Sequence, residues 1–146
     1  MTDSTQLMAG KRGLIMGVAN DHSIAWGIAR TLHEHGAELA FTYQGPALEK
    51  RVRPLAESVG SSHILPCDVT EEDSVSGVFN ALEGAWGGLD FVVHAVAYSN
   101  KEELKGHYVD TTRENFLQTL DISCFSFTSV AQYAVPLMKK NGGSLM

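Results

Sequence analysis

Basic residues are in short supply, with 11 lysines and arginines against 17 acidic residues and a formal charge of −6 over 146 residues. A protein that grips a phosphate backbone needs a concentrated positive face, so nucleic acid is not an expected partner. Cysteine is scarcer still. Cys67 and Cys124 are the two present. They stand in apolar stretches without CxxC spacing or a histidine at metal-ligand distance, so they are expected to be reduced core thiols, and no metal site is expected. No apolar run approaches the roughly 20 residues of a membrane span. The polar opening Met1-Thr2-Asp3-Ser4-Thr5-Gln6 has no basic-then-apolar export signal. Repeats, low-complexity tracts and linkers are missing too. A soluble cytoplasmic protein without a membrane partner is the expectation.

What is present suits one globular domain: 44% of the residues are hydrophobic, enough for a core at this length. Short apolar runs recur at Gly13–Val18, Glu38–Thr42, His63–Pro66 and Asp90–Ala95. Their apolar residues are consecutive rather than alternating, as in strands of a parallel sheet covered on both faces. Helical patterns fill the gaps. The first runs from about Ser23 to His35, with Ile24, Ile28, Ala29 and Leu32 on one face and Gly36 at the stop position. The second covers Pro46 to Ser58 with Leu48, Val52, Leu55 and Val59 in register. The third opens on Thr70-Glu71-Glu72-Asp73, a capping-box pattern with aspartate in place of glutamate, and turns Val75, Val78, Phe79 and Leu82 inward. The fourth opens on Thr111-Thr112-Arg113-Glu114 and continues to about Lys139, bent or ended early by Pro136.

This alternation predicts an α/β fold, a doubly wound parallel sheet of the Rossmann type with right-handed crossovers. The closing Gly142-Gly143-Ser144-Leu145-Met146 reads as a turn and the opening of a fifth strand. An unfinished central strand leaves hydrogen-bonding edges open, so a truncated chain is expected.

Ligands of open parallel sheets sit at the carboxyl ends of the strands. After the first strand comes Gly17-Val18-Ala19-Asn20-Asp21-His22-Ser23-Ile24-Ala25-Trp26-Gly27. Its small residues would let the backbone approach a pyrophosphate, with the amides of the first helix aimed at it and Ser23 serving as hydroxyl donor and helix cap. An ordinary glycine turn with a serine cap would look the same. After the second strand stands Gln44, where an adenosine ribose would lie; with no cation before Lys50, NADH is favoured over NADPH, and a plain surface amide is the alternative. Asp68, at the third strand's end, suits an adenine amino group or a turn ahead of a helix. At the fourth strand's end His94-Ala95-Val96-Ala97-Tyr98-Ser99 forms a small-residue loop suited to a ribose and nicotinamide, and His94, lacking a carboxylate partner, reads as structural.

Together with Ser23-Ile24-Ala25-Trp26-Gly27-Ile28-Ala29, Ala40-Phe41-Thr42-Tyr43-Gln44, Cys67-Asp68-Val69 and Asp121-Ile122-Ser123, these loops resemble the NADH-dependent enoyl-acyl-carrier-protein reductases of type II fatty acid synthesis. These belong to the short-chain dehydrogenases, and the likeness covers nearly the whole chain. Ordinary members of that superfamily carry a Gly-x-Gly step and an Asn-Asn-Ala-Gly loop instead.

The resemblance implies that residues 1–146 are the dinucleotide-binding part of a single-domain reductase. Gly17, Ser23 and Ile24 would lie on the pyrophosphate side, Gln44 at the adenosine, Asp68 and Val69 at the adenine, Val96 at the nicotinamide, and Ser99 near the acyl substrate, with Tyr98 lining its pocket. Ala95 and Ala97 depart from the family's serine and glycine. The implied reaction is reduction of a trans-2 double bond conjugated to a thioester on acyl carrier protein, by a homotetramer.

The family's catalytic Tyr-x6-Lys motif would follow the fifth strand, so no catalytic residue is expected within 1–146, and these residues alone are expected not to turn over. Tyr98 with Lys105 and Tyr133 with Lys140 share the spacing but not the placement, and read as coincidence. Two other readings stay open: a short-chain dehydrogenase acting on a carbonyl or alcohol, and a non-catalytic NADH-binding protein.

Overall fold

A computed structural model describes residues 6–146; Met1–Thr5, and with them most of the polar opening read for an export signal, lie outside the described residues. The chain alternates strand and helix: β1 (Arg12–Met16), α1 (Ile24–Glu34), β2 (Glu38–Tyr43), α2 (Gly45–Ser58), β3 (His63–Pro66), α3 (Glu72–Trp86) and β4 (Phe91–His94). After a loop with two short 3-10 turns come α4 (Arg113–Leu120), a wide turn at Asp121–Phe125, α5 (Ser126–Met138) and β5 (Ser144–Leu145).

The strands form one sheet in the order β3-β2-β1-β4-β5, with every pairing parallel. The doubly wound parallel sheet expected from the apolar runs is thus the observed fold. Side-chain alternation explains why those runs are consecutive. Leu14 and Met16 of β1 join the layer under α3 and α5, while Ile15 between them joins Phe41, Val93, Val52 and Ala25 under α1 and α2. Both faces are dry, so both parities must be apolar. Leu14, Ile15 and Phe41 are fully buried, each contributing on the order of 2 kcal/mol of hydrophobic stabilisation.

Four local expectations need correction. Thr70 does not cap α3: its N–H (2.9 Å) and hydroxyl (2.6 Å) both donate to Asp68 Oδ1. The helix starts at Glu72, with Glu71 at the cap position and no side-chain cap, because Thr70 is drawn back into an Asx turn with Asp68 one residue ahead of that position. At α4 the capping residue is Thr112 rather than Thr111, accepting from Asn115 N–H at 3.2 Å, while the Glu103 carboxylate takes Thr112's own N–H and hydroxyl. In α1 the buried residues are Ala25, Trp26 and Ala29. Ile24, expected inward, is 80% exposed, since the buried face is centred on Ala25 and Ala29, one helical step of about 100° away from it. Cys67 is buried as expected, but Cys124 is exposed on the wide turn.

Pro136 lies inside α5, which runs only two residues beyond it. The irregularity in this long helical stretch lies instead at Asp121–Phe125, a π-type turn that the apolar periodicity does not reveal. Among the described residues, no helix is long and apolar enough to cross a membrane, and no cluster of His, Cys, Asp or Glu suits a metal ion.

Candidate functional site

Strands β2 and β3 lie on one side of β1, and β4 and β5 on the other. The chain therefore leaves β1 and β4 in opposite directions, which opens a crevice above their carboxyl ends. A cavity of about 520 Å³ lies there. It is walled by Gly17–Ala19 after β1, Thr42–Gln44 at the end of β2, Cys67–Thr70 after β3 and Ala95–Tyr98 after β4.

Gly17 allows the loops from β1 and β4 to meet. Its φ is +102°, and an ideal Cβ there would stand 2.0 Å from the Ala95 carbonyl oxygen. Only a residue without a side chain permits that approach. Close by, the Ser23 hydroxyl accepts the N–H groups of Ala19 (2.9 Å) and Asn20 (3.1 Å). Ser23 therefore folds the loop rather than capping α1 with its side chain, as the sequence suggested it would; α1 has no side-chain cap. The Trp26 and Gly27 N–H groups bond the Ser23 carbonyl at 3.0 and 3.1 Å, which leaves those of Ile24 and Ala25 at the open helix end, the usual situation for an anion-binding terminus.

At the other end of the crevice, the Gln44 side-chain amide donates to Asp68 Oδ2 at 3.0 Å. The Thr70 hydroxyl and N–H, together with that amide, hold the Asp68 carboxyl below the usual carboxylate range. Asp68 is therefore an ionised acceptor at neutral pH, and one in the position expected to meet an adenine amino group. Because the folded value is depressed, the charge stabilises the fold above the unfolded pKa, and this contribution is lost as pH falls through the folded value. Asp68→Asn is accordingly expected to unfold at lower temperature than the unmodified chain near about pH 7, and the two melting curves should converge in acid. A constant gap across the titration would contradict this.

The thiol of Cys67 is pushed up to about 11, first by burial and then by the adjacent Asp68 charge. Thiolate is the reactive form. One thiol per native chain, that of exposed Cys124, is expected to react quickly with a disulfide reagent at about pH 8, and both only after unfolding. Rapid reaction of two native thiols would refute it.

Of the residues anticipated from the sequence, Gly17, Gln44, Asp68, Val69, Val96 and Tyr98 line the crevice. Ser23 and Ile24 do not, and Ser99 is turned into α4. Its hydroxyl receives Asn115 Nδ2–H at 3.2 Å and the Thr119 hydroxyl at 3.0 Å, and it borders a separate groove. Sequence reasoning assigned no role to Gln118 and Ile122, which reach the crevice from α4 and the wide turn. Ile122 stood within a quoted motif, but nothing in its own pattern marked it.

His94, at the end of β4, places Nε2 2.7 Å from the Ser126 hydroxyl, and burial pushes its pKa down. This fits the structural role read for it. The Tyr133 hydroxyl donates to Glu72 at 2.8 Å and its ring stacks on Phe79, outside the crevice. Lys105 is paired with Glu102 at 2.9 Å. Neither chance Tyr-x6-Lys pair forms a unit facing the site.

A family model described as enoyl-(acyl carrier protein) reductase matches residues 17–146, from the crevice glycine onward. The chain belongs to the enoyl-(acyl carrier protein) reductase family. It is similar to enoyl-[acyl-carrier-protein] reductase [NADH] 2 of Rhizobium meliloti (strain 1021), with 63% identity over 139 residues, 95% of this chain and 52% of that protein. The corresponding reductase 1 of the same strain is 56% identical over 146 residues, 100% of this chain and 53% of that protein.

Among solved structures, the family's member from Anaplasma phagocytophilum, in complex with NAD, superposes with a TM-score of 0.91 at 56% identity, covering 94% of this chain and 52% of that one. The Aquifex aeolicus VF5 enoyl-[acyl-carrier-protein] reductase (NADH) gives 0.92 at 46% identity, covering 94% and 55%. The chain spans about half the length of the curated relatives it matches. At these scores the enoyl-reductase fold of β1 to β5 is shared over most of the chain, as the loop motifs implied.

Proposed function

We propose that residues 1–146 form the NADH-binding part of a single-domain reductase that acts on the trans-2 double bond of enoyl-acyl-carrier-protein thioesters in fatty acid biosynthesis. One observation carries the reading: four strand ends converge on a single crevice in a chain whose family match begins at Gly17. The names of the similar Rhizobium meliloti reductases, which specify NADH, support the cofactor. So does the site's chemistry, because a 2′-phosphate beside Gln44 would face the ionised Asp68 rather than a cation.

In this reading Gly17 and the outward amides of α1, begun by Ser23 and Ile24, take the pyrophosphate. Gln44 meets the adenosine, Asp68 and Val69 the adenine, and Val96 the nicotinamide. Tyr98 borders the enoyl substrate, with Ser99 behind it in the supporting network with Asn115. Bound NADH would supply the hydride; the chain's own contribution is to hold and orient it in a walled crevice. An exposed apolar face on α4, the wide turn and α5, which includes Phe116, Leu117, Leu120 and Phe125, supports assembly into the homotetramer implied by the family. A cytoplasmic location agrees with the acidic, span-free character of the described chain.

Titration of the purified chain with NADH and NADPH, followed by nucleotide fluorescence, tests the site. Saturable NADH binding and at least about tenfold weaker NADPH binding are expected; failure to bind either would sink the reading. For the protein that carries this chain, consumption of NADH with a crotonyl thioester separates an enoyl reductase from a carbonyl or alcohol dehydrogenase.

A further inference from the structure

The helical stretch after β4 widens by one residue at Asp121–Phe125. There the Ser126 N–H reaches back five residues to the Asp121 carbonyl instead of four. The Ile122 carbonyl, which that N–H would have bonded in a regular α-helix, receives the Ser126 hydroxyl at 2.6 Å. A hydroxyl has one proton. Since Ser126 spends it on Ile122, its oxygen must accept from His94 Nε2–H at 2.7 Å, which fixes the tautomer of His94. Ser126 is fully buried, so water does not stand in for these bonds.

The widened turn has a consequence one residue further along the crevice. Ser123 Oγ accepts the Tyr98 N–H at 2.9 Å and donates to the Tyr98 carbonyl at 3.1 Å. One side chain thus satisfies both backbone groups of a residue in the β4 loop. Val96, Ala97 and Tyr98 of that loop line the crevice on one side, and Gln118 and Ile122 of the helix line it with them. Wide turns of this kind recur at functional sites because they re-aim side chains within an otherwise regular helix.

We propose that Ser123 and Ser126 are positioning residues for the nicotinamide half of the crevice. Ser126, backed by His94, stabilises the widened turn; Ser123 uses that turn to hold the Tyr98 backbone, so that the Ala95–Tyr98 loop stands preformed. The proposal rests on the dinucleotide reading above and adds a directional claim. The adenosine end, built by Gln44 and Asp68, shares no hydrogen bond with either serine and should not respond to them.

NADH and ADP-ribose, which lacks the nicotinamide ring, distinguish the two ends. In Ser123→Ala, which loses both bonds to the Tyr98 backbone, NADH affinity is expected to fall about tenfold, with ADP-ribose affinity unchanged within about twofold. Ser123→Thr, which restores the hydroxyl, should recover most of the loss. Ser126→Ala should behave like Ser123→Ala; if that buried replacement fails to fold, the partly exposed Ser123 still decides the matter. Equal losses for both ligands, or none for NADH, would overturn the proposal while leaving the dinucleotide reading in place. Failure of the unmodified chain to bind either ligand would overturn both.

Discussion

Gly17→Ala is expected to lose at least about 3 kcal/mol of stability and NADH binding with it. The left-handed φ of +102° alone costs on the order of 1–3 kcal/mol for a residue with a side chain. The added methyl would then meet the Ala95 carbonyl at 2.0 Å. That neighbour is backbone, hydrogen-bonded through Ala95 N–H to the Met16 carbonyl at 3.0 Å, and it cannot swing aside like a side chain. Relief requires the ends of β1 and β4 to part, and those ends are the floor of the crevice. Gly27→Ala is the control, because that helical glycine has open space around it and the change should be neutral or stabilising by up to about 1 kcal/mol. Urea unfolding and NADH titration of both variants measure the contrast. A Gly17→Ala chain as stable as its parent, still binding NADH, would remove the steric basis of the site.

Phe41→Ala should cost about 3–5 kcal/mol. Phe41 is fully buried, pairs with Ile15 in the sheet, and lies against Trp26 of α1 with ring centroids 6.3 Å apart. The cavity would open between the sheet and α1, the helix that follows the crevice loop Gly17–Ala19. The loss should therefore appear twice, as a lower denaturant midpoint and as weaker NADH binding even where the variant remains folded. An unchanged midpoint would contradict the packing described for this layer.

Much of the fold was legible because burial leaves a periodic trace. The consecutive apolar residues of β1 and β4 announced a sheet covered on both faces, and Val75, Val78, Phe79 and Leu82 of α3 face inward as their spacing required. The crevice lining was legible where it rests on local backbone demands, as at Gly17, or on residues just past a strand, as at Gln44 and Asp68. It was not legible where one polar side chain has several competing partners within reach. Thr70 fits a capping pattern but bonds Asp68. Ser23 sits at the cap position but folds its own loop. Ser99 belongs to the right loop but turns toward Asn115 and Thr119. Hydrogen-bond choices among such neighbours depend on distances of a few tenths of an ångström, which spacing along the chain does not encode.

From the amino-acid order alone came the parallel doubly wound architecture, the crevice glycine and the family likeness, because each depends on residue type at a fixed local spacing. The tertiary structure decided what hangs on contacts between distant segments: the meeting of Gly17 with Ala95, the Gln44–Asp68 bond, and the wide turn at Asp121–Phe125 that brings Ser123 to Tyr98. A helix can hold one extra residue in a turn only when its neighbours satisfy the displaced backbone groups. In this chain Ser126, within the helix, satisfies the Ile122 carbonyl, and His94, 32 residues away on β4, holds the Ser126 hydroxyl in place.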